Sequence, residues 1–375
     1  MATELIHEVH VRMGHILVSP LNWGLGHATR DIPVIRSLLA HGHEVTIAAC
    51  GSALEVLRQE FPACTFREFP DYSVPFSANR FFLAHFVAAF PSLFRGINDE
   101  HRNLAALLAE DEFDLIISDN RFGIYADDVP SLFITHQLRY HLPAVARPLE
   151  LAGVQLNRFL HANYDRIIVP DNPPGPCSLA GKLSRAETGT SRNRAYYAGI
   201  LTSTRKREVV ADLDYLILIS GPEPQRSELE KILLPASGDL PGSVAVLLGS
   251  PERRSDDTMI TGSCTVIPYA STEEKEILMN RAKCVICRSG YTTMMELAEL
   301  GKRRALLIPT PGQTEQEYLA GYYEKAGWFH ARAQHRLDLA ADLRITEQFH
   351  GFPDMPGTEE NVERLYGEVL AEFLE

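Results

Sequence analysis

The sequence predicts an α/β protein of two domains, each built on a parallel sheet with helices on its faces. Three observations carry this prediction. The chain has 375 residues, which is longer than a single hydrophobic core usually serves. Short apolar runs alternate with helical patterns in both halves, as in βαβ units. A stretch rich in proline and polar residues, 171–210, separates the halves and is interpreted as a linker.

The first domain is predicted to cover residues 1–170. Apolar runs bounded by polar or small residues predict strands at 15–19, 44–48, 113–118, 131–135 and 165–169. A helical pattern over 28–40 connects the first two of these strands. Because strands connected through helices run parallel, we expect their carboxyl ends to share one edge of the sheet, where ligands bind.

The second domain is predicted to cover residues 211–357. A strand pattern at 215–219 opens it, and residues 284–328 read as strand, helix, strand, polar loop and helix. A final helix is predicted over 358–375, because five apolar residues share one face there: Val362, Leu365, Tyr366, Val369 and Leu370. We expect this helix to pack back on the first domain.

Composition narrows the function. The net charge of −13 argues against a nucleic-acid partner, which requires a basic footprint. No apolar run approaches the ~20 residues that cross a bilayer, and the first residues lack the pattern of a secretory signal. A cytoplasmic location is therefore expected, either free in the cytoplasm or peripheral to the inner face of the membrane.

The cysteines do not predict a metal or redox site. The six cysteines include one C-x-x-C pair, Cys284 and Cys287. A zinc ribbon needs a second pair or matching histidines. In a strand, positions i and i+3 also point to opposite faces. We therefore expect both thiols to be small buried groups and expect no bound metal.

A glycine loop lies between the first strand and the first helix. Gly24 and Gly26 allow the backbone to approach a ligand, and the helix N-terminus attracts negative charge. His27 ends the loop and is a candidate general base, or alternatively a helix cap. Thr29 stands where a nicotinamide-dinucleotide motif has glycine or alanine, so that interpretation is weak.

Two further loops follow strands of the second domain. Ser220 and Gly221 precede a helix that carries Arg226, so backbone N–H groups and a guanidinium could meet a diphosphate; a rigid turn is the alternative. After the run that contains Val285, the residues Arg288, Ser289 and Gly290 open a second helix with a free N-terminus.

Polar side chains extend this candidate site. Glu296, on the face of Thr292, can accept both hydroxyls of a ribose, although alone it reads as a solvated helix residue. Gln316 and Glu317, at the next loop-to-helix junction, can reach sugar hydroxyls or cap their helix. Asp119 and His136 follow two strands of the first domain, so either can replace or assist His27 as the base.

An aromatic helix is predicted over residues 79–94. Phe81, Phe82, Phe86 and Phe90 lie in it, and the last three follow i, i+4 spacing. A core helix of the first domain is the favoured interpretation. The alternative is peripheral contact with a membrane or with a lipid-linked acceptor.

The segment CRSGYTTMMELAELGKRRALLIPTPGQTEQEYLAGYYEKAGW, with GLGHATR and HGHEVTI near the N-terminus, resembles GT-B glycosyltransferases with a family 28 C-terminal domain. That group includes the peptidoglycan UDP-N-acetylglucosamine transferase and monogalactosyldiacylglycerol synthase. The resemblance implies a GT-B fold, in which two Rossmann-like parallel α/β domains face each other across a cleft.

The resemblance also implies roles for individual residues. It places the glycine loop and His27 in the cleft, the donor nucleotide on Ser289 and Gly290, and the ribose on Glu296. The donor sugar is expected at Gln313, Gln316 and Glu317, although family members more often carry two adjacent glutamines at the last two positions. The uracil is expected near residues 267–272, which include Tyr269.

The predicted activity is transfer of a hexosyl group from a UDP-sugar, with inversion and with no metal or other cofactor. The acceptor is unidentified, and a lipid or a glycan would suit the family. One alternative is a UDP-sugar 2-epimerase of the same fold, and another is a non-catalytic nucleotide-sugar-binding protein.

Overall fold

The structure is a computed structural model that describes residues 13–71, 82–142, 150–186, 190–250, 259–261 and 264–374. In the first domain its strands are β1 (His15–Pro20), β2 (Glu44–Ala49), β3 (Thr65–Glu68), β4 (Leu115–Asp119), β5 (Ser131–Ile134), β6 (Arg166–Val169) and β7 (Ala195–Tyr197). The helices there are α1 (Leu25–Ala40), α2 (Gly51–Glu60), α3 (Phe82–Leu108), α4 (Glu150–His161) and α5 (Thr190–Arg194).

The second domain repeats the plan. Its strands are β8 (Leu213–Leu218), β9 (Val244–Leu247), β10 (Met259–Thr261), β11 (Cys264–Ile267), β12 (Ala282–Cys287), β13 (Ala305–Leu307) and β14 (His330–Ala331). Its helices are α6 (Gln225–Ser237), α7 (Thr272–Arg281), α8 (Tyr291–Glu299), α9 (Thr314–Lys325) and α10 (Leu339–Ile345). The chain ends in α11 (Thr358–Leu365), a π-helical turn (Tyr366–Leu370) and α12 (Ala371–Leu374).

Each domain is built on one sheet. The first sheet has the order β3-β2-β1-β4-β5-β6-β7, and every pairing in it is parallel. The second has the order β10-β11-β9-β8-β12-β13-β14, with one antiparallel pairing between β10 and β11. The predicted fold class, two parallel α/β domains, is confirmed. Both strand orders reverse beside the first strand of the domain, which creates a crevice at that edge.

The second sheet is covered by apolar residues on both faces. Cys284 packs in the cluster on one face and Cys287 in the cluster on the other, as expected for positions i and i+3. Burial raises the pKa of both thiols, that of Cys284 to about 11. Among the described residues, no three histidine, cysteine or acidic side chains are grouped as metal ligands would be.

The predicted linker, 171–210, is more ordered than its composition suggests. β7 lies inside it and adds a strand to the first sheet. Leu179, Ala180 and Leu183 are buried in the core of the second domain, although the sequence predicts a linker here. The carboxylate of Asp171 explains the difference. It accepts hydrogen bonds from Ser178 and Ser184 and from nearby backbone N–H groups, and so folds the loop on itself.

The C-terminal segment returns to the first domain. Its apolar side chains join the core formed by β1, β2, α1 and α2; they are Val362, Leu365, Tyr366, Val369, Leu370 and Leu374. Asn361 donates a hydrogen bond to the carbonyl of Ile200 (3.0 Å), and Thr358 donates one to Glu299 of the second domain (2.8 Å). The segment therefore contacts both domains and crosses from one to the other.

The aromatic helix is part of α3, which runs to Leu108. Phe81 and the side chains of Phe82, Phe86 and Phe90 lie outside the described residues, so a membrane contact through them stays a prediction. None of the described helices combines the length and the apolar character that a bilayer span requires. A cytoplasmic location likewise stays a prediction from the sequence.

Candidate active site

The two domains bring polar side chains together at the carboxyl edges of their sheets. His27 lies in the first turn of α1, Asp119 ends β4, and His136 follows β5. From the second domain, the N-termini of α8 and α9 contact this group through Tyr291 and Glu315. The structure therefore brings together residues that the sequence places at strand ends, since the carboxyl ends of parallel strands share one edge of a sheet.

His27, Asp119 and Arg30 form a connected group. The Nδ1 atom of His27 is 2.8 Å from an oxygen of Asp119. Arg30 pairs with both oxygens of the same carboxylate, and its Nη2 atom is 2.8 Å from His27 Nδ1. A carboxylate can only accept, so the contact with Asp119 assigns the proton to Nδ1, and Nδ1 and Arg30 Nη2 then both donate to Asp119 rather than to each other. The lone pair of the neutral ring then lies on Nε2, which has no hydrogen-bond partner among the described residues.

The charges of this group are set by burial and by mutual contact. Burial lowers the pKa of His27, and Arg30 lowers it further, while Asp119 opposes both. Burial alone would raise the pKa of Asp119, but the attraction of Arg30 and His27 outweighs it, and the pKa lies below its ordinary value. The site therefore holds an ionised Asp119 and favours a neutral His27, which is the state a general base needs.

Asp31 follows Arg30 on α1 and is fully buried beside the group. Burial and the charge of Asp119 raise the pKa of Asp31 well above its ordinary value. The raised pKa favours the protonated acid, because a second carboxylate next to Asp119 would be poorly solvated. Arg30 is therefore the counter-charge of Asp119.

His136 connects the first domain to the second. Its ring stacks on Tyr291, with 4.1 Å between centroids and planes 8° apart. Its Nδ1 atom is 3.4 Å from Arg30 Nη1, and its Nε2 atom is 3.0 Å from Glu315 Oε1. All three predicted catalytic residues thus lie in one network, and Glu315 joins it from across the cleft.

Two helix N-termini meet beside this network. α1 begins after Gly24, which has φ +96°, and α8 begins after Gly290; neither helix has a side-chain cap. Their first N–H groups are therefore left without a side-chain acceptor. The helices touch, because a Cβ atom on Gly26 would lie 2.4 Å from Thr292 Oγ1. Two positive helix ends at one place form a site for an anion.

Glu296 lies on the buried face of α8, so the solvated position that the residue alone suggested is wrong. Its carboxylate accepts hydrogen bonds from Lys275 Nζ at 2.7 and 2.8 Å and from the Thr204 hydroxyl at 3.3 Å. Lys275 is partly exposed, so it can move away when another donor arrives. No sequence pattern indicates this lysine, because it lies on α7 and reaches α8 only in the folded domain.

The two predicted arginines are engaged by protein groups. Arg226 pairs with Glu223 and with Glu230 at 2.9 Å, so its charge is already neutralised. Arg288 is buried and donates to backbone carbonyls, including that of Ile308 at 3.2 Å. Both arginines therefore hold loops of the cleft in place, and the buried Nε atom of Arg288 has no hydrogen-bond partner among the described residues.

The remaining donor-side residues differ in exposure. Ser220 and Gly221 are exposed directly after β8, and Tyr269 is exposed before α7. Ser289 is fully buried, and its hydroxyl donates to the carbonyl of Gln316 at 2.9 Å. The exposed residues are accessible to a nucleotide, whereas Ser289 ties the start of α8 to the start of α9.

The predicted sugar-binding residues bond within their own loop. Gln316 accepts from the N–H of Thr310 (2.9 Å) and donates to Gln313 (2.6 Å). Glu317 accepts from the N–H of Gly312 (3.0 Å). These bonds shape the loop before α9 and do not cap the helix, because their backbone donors, Thr310 and Gly312, precede the N-cap residue Gln313. Glu315, which the sequence did not single out, is the side chain that crosses the cleft.

Comparison with known proteins identifies the family. Residues 251–343 match the glycosyltransferase family 28 C-terminal domain. A protein of Methanosarcina mazei is 24% identical over 319 residues, with 81% of this chain and 82% of the relative covered. A protein of Methanosarcina acetivorans is 26% identical over 326 residues, with 81% and 80% covered. Both carry the name uncharacterized glycosyltransferase.

The chain is a glycosyltransferase of the GT-B fold with a family 28-type C-terminal domain. Solved structures support the fold over nearly the whole length. The spinosyn rhamnosyltransferase SpnG superposes on this glycosyltransferase with a TM-score of 0.61 at 17% identity, covering 95% of this chain and 96% of that one. MurG of Acinetobacter baumannii gives 0.55 at 13% identity, covering 95% and 100%. SpnG has been solved with thymidine diphosphate and with spinosyn aglycone.

Proposed function

We propose that this glycosyltransferase moves a hexosyl group from a uridine diphosphate sugar to an acceptor hydroxyl, with inversion at the anomeric carbon and without a bound metal. The observation that carries the proposal is the contact between the uncapped N-termini of α1 and α8, made through Gly26 and Thr292. A diphosphate between them would satisfy free N–H groups of both helices.

His27 is the proposed base. Its Nε2 atom removes the proton from the acceptor hydroxyl while the oxygen attacks the anomeric carbon. Asp119 holds the ring through Nδ1–H and stabilises the imidazolium that forms. Arg30 keeps Asp119 ionised through its paired hydrogen bonds. A positioned base of this kind contributes roughly 10²–10⁴-fold to the rate.

The departing diphosphate is the second requirement of the reaction. Negative charge grows on its leaving oxygen as the glycosidic bond breaks. Backbone N–H groups at the start of α8 and the positive end of its dipole stabilise that charge without any rearrangement. His136, stacked on Tyr291 at the first position of α8, is placed to assist.

The nucleotide is proposed to lie against the second domain, with its ribose on Glu296. Two hydroxyls would replace Lys275 and Thr204 as donors to that carboxylate. The uridine assignment rests on the family resemblance. SpnG, a fold neighbour, has been solved with thymidine diphosphate, so a sugar carried on that nucleotide is the competing donor. The acceptor would enter beside His27 from the first domain.

The test is a thermal-shift panel of nucleotides and nucleotide sugars, followed by an assay of released nucleotide with hydroxyl acceptors. A ligand at ~100 times its Kd adds about 2.7 kcal/mol of stability. We expect UDP and a UDP-sugar to stabilise the protein, and transfer to persist in EDTA. A shift with another nucleotide only would replace uridine, and loss of transfer in EDTA would reject the metal-free step. Sugar converted without an acceptor, seen by NMR, would instead identify a 2-epimerase.

A further inference from the structure

A cavity of about 320 Å³ lies in the first domain, at the edge of the sheet opposite to the catalytic group. It is formed where α4 ends, β6 begins and α5 leads into β7, which is the amino edge of these parallel strands. Cavities of roughly 300 Å³ and more hold small molecules in proteins. The lining includes two guanidinium groups, one imidazole and three apolar side chains: Arg158, Arg194, His161, Phe159, Ala162 and Ile167.

His161 is the buried polar group of this cavity. Only 4% of the residue is exposed, and its ring packs against those of Phe133 and Phe122, with centroids 4.9 and 5.8 Å away. Among the described residues, neither nitrogen of the ring has a hydrogen-bond partner, and Nε2 is fully buried. A buried polar group without a partner costs free energy. A ligand in the cavity can supply the partner that the protein does not.

The two arginines leave donors unused. Arg158 makes one long contact, 3.5 Å from Nη1 to the side-chain oxygen of Gln155. Arg194 Nη1 donates to the carbonyls of Ala162 (2.8 Å) and Tyr164 (3.1 Å), and its other two nitrogens have no partner among the described residues. Within that part of the chain no acidic side chain lines the cavity. The cavity therefore favours an anion, and the guanidinium fork suits a carboxylate.

The rest of the lining is apolar. Phe159 is 67% exposed, which is unusual for a phenylalanine on a helix, and Ala162 and Ile167 continue the apolar wall. A bare phosphate or sulfate would leave this wall in water. A flat aromatic group would cover it and could stack on the phenylalanine ring. The charge and the wall together indicate an anion with an aromatic body.

We propose that this cavity is a second ligand site, which binds a small aromatic carboxylate. The carboxylate pairs with Arg158 and Arg194, and the aromatic body packs on Phe159 beside His161. The site lies at the amino edge of the first sheet, whereas His27 and Asp119 lie at the carboxyl edge. Its ligand is therefore neither the donor nor the acceptor of the proposed transfer, and the inference does not rest on that function.

The experiment is calorimetric titration of 2-naphthoate into the full chain at pH 7.5, with and without UDP. The uncharged probe is 2-naphthalenemethanol, which has the same rings and no carboxylate. We expect one 2-naphthoate to bind per chain, with an affinity that UDP does not change, and the alcohol to bind at least tenfold more weakly. Arg158→Gln should weaken 2-naphthoate at least fivefold and leave the alcohol unchanged. Phe159→Ala should weaken both compounds.

The matched control is Arg192→Gln, which makes the same charge change at an exposed position on α5 outside the lining. It should bind 2-naphthoate as the wild type does. An equal loss in Arg192→Gln and Arg158→Gln would show attraction to the general surface charge and would overturn the inference. Displacement of 2-naphthoate by UDP would place it in the cleft instead. Absence of saturable binding, or wild-type affinity in Arg158→Gln, would overturn the inference as well.

Discussion

Gly26 of the first domain and Thr292 of the second are in direct contact, with no room for a side chain at residue 26. A Cβ atom there would lie 2.4 Å from the Thr292 hydroxyl and 3.4 Å from Thr292 Cβ. The residue must therefore be glycine for the two helix N-termini to come together. The motif GLGHATR thus has a steric reason for its second glycine, which lies in the second domain rather than in the loop itself.

Gly26→Ala is expected to separate the two helices and weaken UDP binding at least tenfold. The double variant Gly26→Ala/Thr292→Ala should recover much of that affinity, because removing the threonine hydroxyl leaves only the 3.4 Å contact. Calorimetric titration of UDP into each variant measures the effect, with Thr292→Ala alone as the control. Wild-type affinity in Gly26→Ala would contradict the shared anion site.

His27→Ala is expected to lower the rate of transfer by roughly 10²–10⁴-fold, since it removes the general base. The nucleotide should bind within about twofold of the wild type, because no nucleotide contact is assigned to this ring. Asp119→Asn should also slow transfer, since the neutral amide no longer stabilises the imidazolium that forms on His27. Nucleotide release with a panel of acceptors provides the rates. Undiminished transfer in His27→Ala would move the base to another residue.

The pH profile of transfer should show the effect of Arg30 on the pKa of His27. Burial and Arg30 lower the pKa of His27 below 6.5, so the wild-type rate should fall only below pH 6.5, as the ring becomes protonated. Arg30→Met removes a positive charge that opposes protonation, so the acidic limb should move to higher pH. An unmoved limb, measured on kcat from pH 5 to 9, would show that His27 is not the titrating group.

Glu296→Ala is expected to weaken nucleotide binding about tenfold, because the ribose loses two charge-assisted hydrogen bonds. A free base or a ribose-free diphosphate should be unaffected. Pyrophosphate is therefore the matched ligand: its affinity for Glu296→Ala should equal that for the wild type. Normal UDP affinity in this variant would reject the ribose assignment.

His161 should make the fold sensitive to acid. Burial lowers its pKa to about 4, while the unfolded chain retains a value near 6.5. The unfolded state therefore binds the extra proton between pH 6.5 and 4, and the free energy of unfolding falls by on the order of 3 kcal/mol over that window. His161→Gln should lose less stability between pH 7 and 4.5 than the wild type, as measured by thermal unfolding. An equal loss would contradict the buried neutral histidine.

The sequence was informative where a short pattern decides the structure. Apolar runs predicted β1, β2 and β12. The glycines that follow β1 and β12 predicted that helices start near Gly26 and Gly290. The sequence could not decide where the Gln316 side chain points, because a glutamine in the first turn of a helix can equally reach a ligand or nearby backbone. The hydrogen bonds of Glu315 are made with the other domain, so no local pattern in the sequence predicts them.

For other parts of the structure the sequence pattern was too weak to predict an element. β7 has only three residues, two of them partly exposed tyrosines, so no apolar run marks it. The partners of Arg226, by contrast, were readable from the sequence. Glu230 stands four residues after it on α6, which is the spacing of ion pairs on a helix, and Glu223 lies three residues before it, in the turn that precedes α6.

The return of residues 358–374 to the first domain has a consequence for engineering. The hydrophobic core beneath α1 is assembled from both ends of the polypeptide, so a cut between the domains cannot yield two complete folding units. A chimera that imports a donor domain from a relative should therefore keep the native C-terminal tail with the native first domain. Such a graft needs two junctions, one before β8 and one before α11.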